Sequence, residues 1–303
     1  MKFDAIVLSG GGIKGILALG VLHYYYEKGE YTSDDVQEYA GTSIGAAVSL
    51  LLICGYSPME IFNEIYNMDS VFSVGECYNI WDITKHMGLM NIDGFGDKLT
   101  KLVKKKLKCV PTLKKLEELT GKTLAVAVAN VTKMCEEKYS PDTRPNLGCV
   151  NAVKISCNLP PLFPPTKYNN SYCVDGGLVN NFPWDYISNC RKRILGIMVT
   201  GSDFALPDDA FMGYFYRCMT ISINQLTELR CQMASEKVEL VKVSWSGDSS
   251  LLQLTMPPSD QKMEMFLTGY KEAEKKKTTK FLYVEGWTWN ISGKDTSSYV
   301  GVS

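Results

Sequence analysis

Twice within its first 55 residues the chain runs from a short β-prone stretch into a glycine-bearing turn and directly on into an apolar helix. FDAIVL, residues 3–8, enters SGGGIKG and continues as ILALGVLHYYYEKG, which Gly29 ends. VQEYAGTSIGAAVSLLLICG repeats the pattern, turning around Ser43 and stopping at Gly55. A strand that leaves through a tight turn into a helix must meet its next strand after a crossover, which favours parallel pairing. Later stretches keep the alternation. TLAVAVANV, SYCVDGG, RILGIMVTG and VELVKVSW read as strands, with EEKYSP as partner or extension of the first. Helices are predicted near 147–157, 211–237 and 260–276, and from Asp97 to Leu119 with a break at Pro111. Ser57, Pro58 and Glu60 supply a cap, a first-turn proline and a capping-box acid for a helix to about Asn67. Residues 70–96 suit a loop or cover, and LPPLFPP cannot be regular structure. The expected class is α/β, three layers, with a central mainly parallel sheet and helices on both faces.

Glycines 10, 12 and 15 satisfy G-x-G-x-x-G, the turn that cradles phosphates in dinucleotide-binding folds. Such a site needs an acid at the tip of the second strand to hold the ribose. Here that strand ends in Gly41-Thr42-Ser43-Ile44-Gly45, while Glu30, Asp34, Asp35 and Glu38 fall in the linker or within the strand. No G-K-[ST] follows the loop, so a P-loop is also missing. The nucleotide reading survives only as a rival, testable by whether NAD or ATP raises the melting temperature.

G-T-S-I-G between a strand and an apolar helix has the form of a nucleophile elbow. Small neighbours let the serine stand on a sharp turn at a helix N-terminus, where N–H groups and positive potential favour an oxyanion. A serine of this kind usually works with an aspartate and a later histidine. The chain has two histidines, His23 in the first helix and His86 in the loop region, and neither follows a late aspartate. His23 reads as structural, and a histidine triad is not expected. Asp175-Gly176-Gly177 ends the SYCV strand and places a carboxylate on an open turn. Alone it would read as an ordinary Asp-Gly turn; beside the serine elbow and the glycine loop it becomes a candidate base.

Gly10-Gly11-Gly12-Ile13-Lys14-Gly15, Gly41-Thr42-Ser43-Ile44-Gly45 and Asp175-Gly176-Gly177 occur in this order, and SCNLPPLFPP and GGLVNNFPWD, with Asn181 and Pro183, lie before and around the aspartate. This set resembles the patatin-like phospholipase family over roughly residues 4–200. The resemblance implies a patatin-like three-layer fold over residues 1–280, with residues 281–303 as a C-terminal extension. It also implies a Ser-Asp dyad in which Asp175 takes the proton of the nucleophile Ser43. The loop of Gly10, Gly11, Gly12, Lys14 and Gly15 would form the oxyanion hole, chiefly through N–H groups near Gly11 and Gly12. Lys14 is either a solvated or helix-start charge or a direct aid to the anion. Gly41, Gly45, Gly176 and Gly177 would shape the elbow and the turn. The implied substrates are acyl esters of lipids, including phospholipids and lysophospholipids, with no metal or cofactor. A catalytically silent lipid-binding or membrane-interaction protein of the same fold is the other rival.

Charge and composition narrow the surroundings. Thirty-two Lys and Arg against 33 Asp and Glu argue against a broad basic nucleic-acid surface. Ten cysteines without C-x-x-C or close His-Cys spacing read as reduced, mostly buried small hydrophobes. The start MKFDAIVLSG lacks signal-peptide character, and AAVSLLLIC is about half the roughly 20 residues of a membrane span, so the expectation is a cytoplasmic protein with transient peripheral membrane contact. Lys98, Lys101, Lys104, Lys105, Lys106 and Lys108 interleave with apolar residues and read first as a solvated helix face, with an anionic lipid surface as the alternative.

Overall fold

The structure, a computed structural model, describes residues 2–68, 87–188, 193–201, 211–234, 238–246 and 256–284. His86, most of the 70–96 stretch and residues 285–303 of the C-terminal extension lie outside the described residues. In chain order the elements are β1 (Ala5–Leu8), α1 (Gly15–Glu27), β2 (Glu38–Gly41), α2 (Ile44–Ile53), α3 (Pro58–Tyr66), α4 (Asp93–Leu107) and α5 (Leu113–Thr120). Then follow β3 (Thr123–Asn130), β4 (Cys135–Tyr139), α6 (Cys149–Ser156), β5 (Thr166–Tyr168) and β6 (Ser171–Asp175). The last are β7 (Ile194–Gly201), α7 (Phe211–Ala234), β8 (Val238–Trp245) and α8 (Ser259–Val284).

The sheet runs β5-β6-β3-β2-β1-β7-β8, with β4 paired to β3. Strands β3, β2, β1, β7 and β8 are parallel, whereas β4 and β6 meet β3 antiparallel and β5 meets β6 antiparallel. The register explains how β3 serves three neighbours. Val126 pairs with both Gly41 and Tyr139, and Val128 with both Glu137 and Asp175, so β4 lies along one edge while β2 and β6 share the other end to end. Where β2 stops at Gly41, β6 arrives with Asp175. The residues just after Gly41 and the end of β6 therefore lie close together.

Alternation along the strands divides the core between two faces. Ile6, Leu8, Val126, Val128, Leu195 and Ile197 join one cluster with residues of α1 to α6 and α8. Ala5, Val7, Ala40, Ala125, Ala127 and Met198 face the other, where Phe182, Tyr186 and the end of α7, at Cys231 and Ala234, cover them. Both faces are covered, but unequally. The alanines leave a shallow second face that one helix and an irregular segment suffice to close.

Ser57 caps α3 as expected: its N–H donates to Glu60 Oε2 at 2.7 Å and its Oγ accepts from the Glu60 N–H at 3.1 Å. The lysine-rich helix begins at Asp93 rather than Asp97, and α4 and α5 are separate helices on either side of Pro111. Lys105 pairs with Glu64 at 2.7 Å, and Lys106 pairs with Glu60 at 3.0 Å over the Tyr56 ring, so part of this row is tied to α3 rather than free for a lipid surface. Strand β5 was not legible; it forms a hairpin with β6 through Asn169 and Asn170, at φ 47° and 59°, a turn conformation that asparagine tolerates. Of the described cysteines, all free, Cys54, Cys149, Cys173 and Cys231 are buried and Cys157 is half-buried, but Cys109, Cys135 and Cys218 are exposed, more than the expectation of mostly buried thiols allows. Small apolar thiols on helix and strand surfaces carry little cost.

Helices α1 and α8 cross with backbone against backbone. A Cβ on Gly20 would lie 2.0 Å from the Phe266 carbonyl oxygen, and one on Gly269 would lie 2.0 Å from that of Leu17. Gly20→Val is therefore expected to cost about 1–3 kcal/mol or more through forced separation of the helices. Urea unfolding measures it; a midpoint equal to the parent's would mean that the crossing relaxes freely.

Candidate active site

Strand β1 ends at Leu8 and strand β2 at Gly41, adjacent and in register, so both turns leave from the same end of the sheet. The elbow folds tightly over β1: the Thr42 N–H donates to the Leu8 carbonyl at 3.2 Å. A Cβ on Gly45 would lie 2.5 Å from the carbonyl oxygens of both Leu8 and Ser9, so only glycine permits this approach. Ser43 itself sits at φ 53°, ψ −128°, a conformation costing a non-glycine residue on the order of 1–3 kcal/mol. The strain is held by its surroundings. The Ser43 N–H donates to Ser156 Oγ at 2.9 Å, and that hydroxyl donates to the Ala127 carbonyl at 2.7 Å, locking the turn to α6 and β3.

Asp175, 3% exposed, ends β6 opposite Val128. One carboxylate oxygen accepts the Gly177 N–H at 2.7 Å. Burial pushes the carboxyl up to about 6, opposed by the Gly177 N–H and by the Ser43 hydroxyl, which is near enough to favour the charged form. The Cys157 thiol lies against both residues, kept neutral by burial and the Asp175 charge. Gly176 fits against the Ala127 carbonyl, and Gly177 between Asp175 Oδ1 and Asn181 Oδ1.

The glycine loop reaches the same point. A Cβ on Gly10 would be 3.1 Å from Ser43 Cβ, and one on Gly15 would be 3.0 Å from Ile44 Cγ1, so the N-termini of α1 and α2 converge beside the serine. Gly12 has φ +56°, which lets the loop turn its N–H groups outward. The N–H groups of Gly10, Lys14 and Gly15 are engaged with Asn181 O, Gly11 O and the carbonyls of Gly12 and Ile13. Those of Gly11, Gly12 and Ile44 have no acceptor among the described residues. Gly10 and Gly15 thus shape the loop, while Gly11 and Gly12 carry its open donors. Lys14 is not a solvated charge: it is 8% exposed, and desolvation lowers its pKa. It has no ion-pair partner among the described residues, because the turn into α1 folds it inward.

With the three motifs assembled, comparison with known families is decisive. Residues 6–187 match the model of the patatin-like phospholipase family, more than half of the chain. The chain belongs to that family. It is 33% identical over 256 residues to the probable lipid hydrolase 463L of Invertebrate iridescent virus 6, covering 81% of this chain and 87% of the relative. It is 29% identical over 221 residues to the uncharacterized protein YqhO of Bacillus subtilis (strain 168), covering 66% of this chain and 72% of the relative. The fold of this patatin-like chain is also that of VipD from Legionella pneumophila, with TM-score 0.53, 18% identity, and 92% of this chain and 67% of VipD covered. ExoU of Pseudomonas aeruginosa, solved with SpcU, aligns with TM-score 0.51 and 16% identity over 90% of this chain and 52% of ExoU.

Several residues that hold this patatin-like site together carried no assigned role in the sequence. Asn180, beside the Asn181 already noted in GGLVNNFPWD, forms its hub with that residue. The Thr42 hydroxyl donates to the Asn180 carbonyl at 2.7 Å, and the Gly10 N–H to the Asn181 carbonyl at 3.3 Å, so one dipeptide joins elbow, loop and aspartate turn. The Asn180 side chain donates to Glu136 at 2.7 Å and Asp185 at 3.1 Å, and Arg230 bridges the same two carboxylates at 2.7 and 3.2 Å. The Asn158 carbonyl accepts the Asp175 N–H at 3.0 Å. The SCN tripeptide before LPPLFPP and the NN before FP were visible signals of proximity; the Glu136–Arg230 pair, 94 residues apart, had none. His23 lies elsewhere, its Nε2 3.2 Å from Glu27 and its ring against Phe266 and Tyr270 of α8. Strand β2 carries no carboxylate of its own at its C-terminal tip, where a dinucleotide site needs one: Glu38 begins that strand and bonds Ser188.

Proposed function

We propose that this patatin-like chain is a serine lipid acyl hydrolase acting on phospholipid or lysophospholipid esters through Ser43 and Asp175. Asp175 accepts the Ser43 proton as Oγ attacks the ester carbonyl; the tetrahedral oxyanion sits on the N–H groups of Gly11, Gly12 and Ile44, and the leaving alcohol takes the proton. Water, deprotonated by the same carboxylate, then hydrolyses the acyl-enzyme and restores both groups. Lys14, buried at the end of the loop, adds positive potential there in its protonated form, which desolvation disfavours. The observation that carries this reading is the buried, raised Asp175 carboxyl facing the hydroxyl of a serine held in a strained conformation. A silent lipid binder would have no use for that strain. We take residues 1–280 as one hydrolase unit, working in the cytoplasm with transient contact to a lipid surface. Among the described residues no helix is long and apolar enough to cross a membrane.

The test is labelling by a fluorophosphonate probe followed by peptide mapping; a label absent from Ser43 in the folded protein would sink the assignment. Because a base must be unprotonated, and burial lifts Asp175 to about 6, kcat/KM should rise with pH through about 6 and plateau above it. A limb near 4 instead would mean that the carboxyl is solvated, against the geometry.

A further inference from the structure

Helix α7 is longer than the strand it covers. Its 24 residues span about 36 Å, against about 26 Å for the eight residues of β7. Ala234, its last residue, stands four positions before Val238, which pairs with Ile194 at the start of β7, so the C-terminal end of α7 is tied to the start of the strand. Cys231, near that end, meets Met198 of β7, and the 20 residues before it make about 30 Å of helix against about 10 Å for the three strand residues after Met198, so an α7 antiparallel to β7 carries its N-terminal half beyond the end of the strand. That is the end of the sheet at which β1 and β2 deliver the glycine loop and Ser43.

Burial along the helix agrees. Thr227, Cys231 and Ala234 are buried, but no described side chain from Tyr214 to Leu226 is. Tyr214, 61% exposed, Cys218 and Ile221, 64% exposed, follow one another at helical spacing on the face opposite the buried residues, and Leu229, 57% exposed, continues the stripe. Residues 211–226 read FMGYFYRCMTISINQL, with no acid and one base, Arg217. A water-facing helix is ordinarily charged on its outer side. The base of α7 is fixed, since Arg230 pairs with Glu136 and Asp185 of the Asn180 hub, so the projecting half is held in a set relation to the site.

We infer that the outer face of the N-terminal half of α7, centred on Tyr214 and Ile221, docks on the surface of a lipid aggregate and seats the catalytic end of the sheet against it. This deepens the reading of the chain as a lipid acyl hydrolase and rests on it. A bilayer fits better than a second copy of the chain. The stripe is aromatic and aliphatic, the one charge that flanks Tyr214 and Ile221 is the basic Arg217, the lack of acids from 211 to 226 suits neutral or anionic headgroups, and the stripe adjoins a site whose substrate resides in that bilayer.

The experiment uses the full chain and its Tyr214→Asp/Ile221→Asp double variant with vesicles of phosphatidylcholine, with and without phosphatidylglycerol. Flotation should show parental binding that falls at least about 10-fold in the variant, with loss of vesicle-ester hydrolysis in proportion. Hydrolysis of a soluble short-chain ester and fluorophosphonate labelling of Ser43 should stay within about twofold, because neither substitution touches the catalytic groups. Equal flotation of both proteins overturns the inference, as does a parent that elutes as a dimer which the variant breaks without change in flotation. An unlabelled parental Ser43 with intact flotation would instead remove the hydrolase reading and leave the docking surface standing.

Discussion

Ser43→Ala is expected to lower ester turnover on the order of 10⁴-fold or more while the protein stays folded, since on the proposed mechanism it deletes the nucleophile of a two-residue unit. Alanine keeps the Cβ and with it the strained backbone at φ 53°, so the thermal midpoint should move little. Ser43→Gly separates strain from chemistry. It is equally inactive but relieves the conformation, and should be more stable than the alanine variant by on the order of 1 kcal/mol. A folded Ser43→Ala protein retaining full turnover would end the serine assignment; equal stability of the two variants would mean that the surroundings do not impose the turn.

Asp175→Asn should slow turnover something like 10²- to 10⁴-fold, the range for loss of a general base. The amide oxygen can still accept the Gly177 N–H, so the turn persists. Stability should move the other way. With the folded pKa raised from 3.8 to about 6, Asp175 holds its proton in the folded protein where the unfolded chain has lost it. Its favourable contribution is complete below about pH 4 and is lost as pH rises through 6. The asparagine variant, which does not titrate, should therefore gain relative to the parent across that window, by on the order of 1–3 kcal/mol at pH 8. Near-normal kcat would leave Ser43 without its base; a stability difference independent of pH would mean that the carboxylate is not desolvated.

The serine, the aspartate and the glycine loop were legible as candidates because each obeys a local rule: small residues at a turn, a strand before and a helix after. What Ser156, Asn158 and the Asn180 hub do was not, although their stretches stood out, since their roles lie in bonds to Ser43, Asp175 and Thr42 that no local pattern encodes. Lys14 shows the same limit from the other side. In sequence it is one more lysine near a helix start; its burial comes from the direction in which the turn into α1 folds.

The alternation of apolar runs, glycines and helical spacing was enough to determine an α/β sheet and the order of its chemical motifs along the chain, because those depend on interactions within a few residues. Which motif meets which was decided by tertiary structure alone. Asp175 faces Ser43 because β2 and β6 share one edge of β3, and nothing in either strand specifies that edge. The pairing is set by packing all the strands at once: β4 takes the opposite edge, and the alanine-lined face closes under α7. The same global packing raises the Asp175 carboxyl to about 6, since desolvation belongs to the assembled site and to no stretch of chain within it.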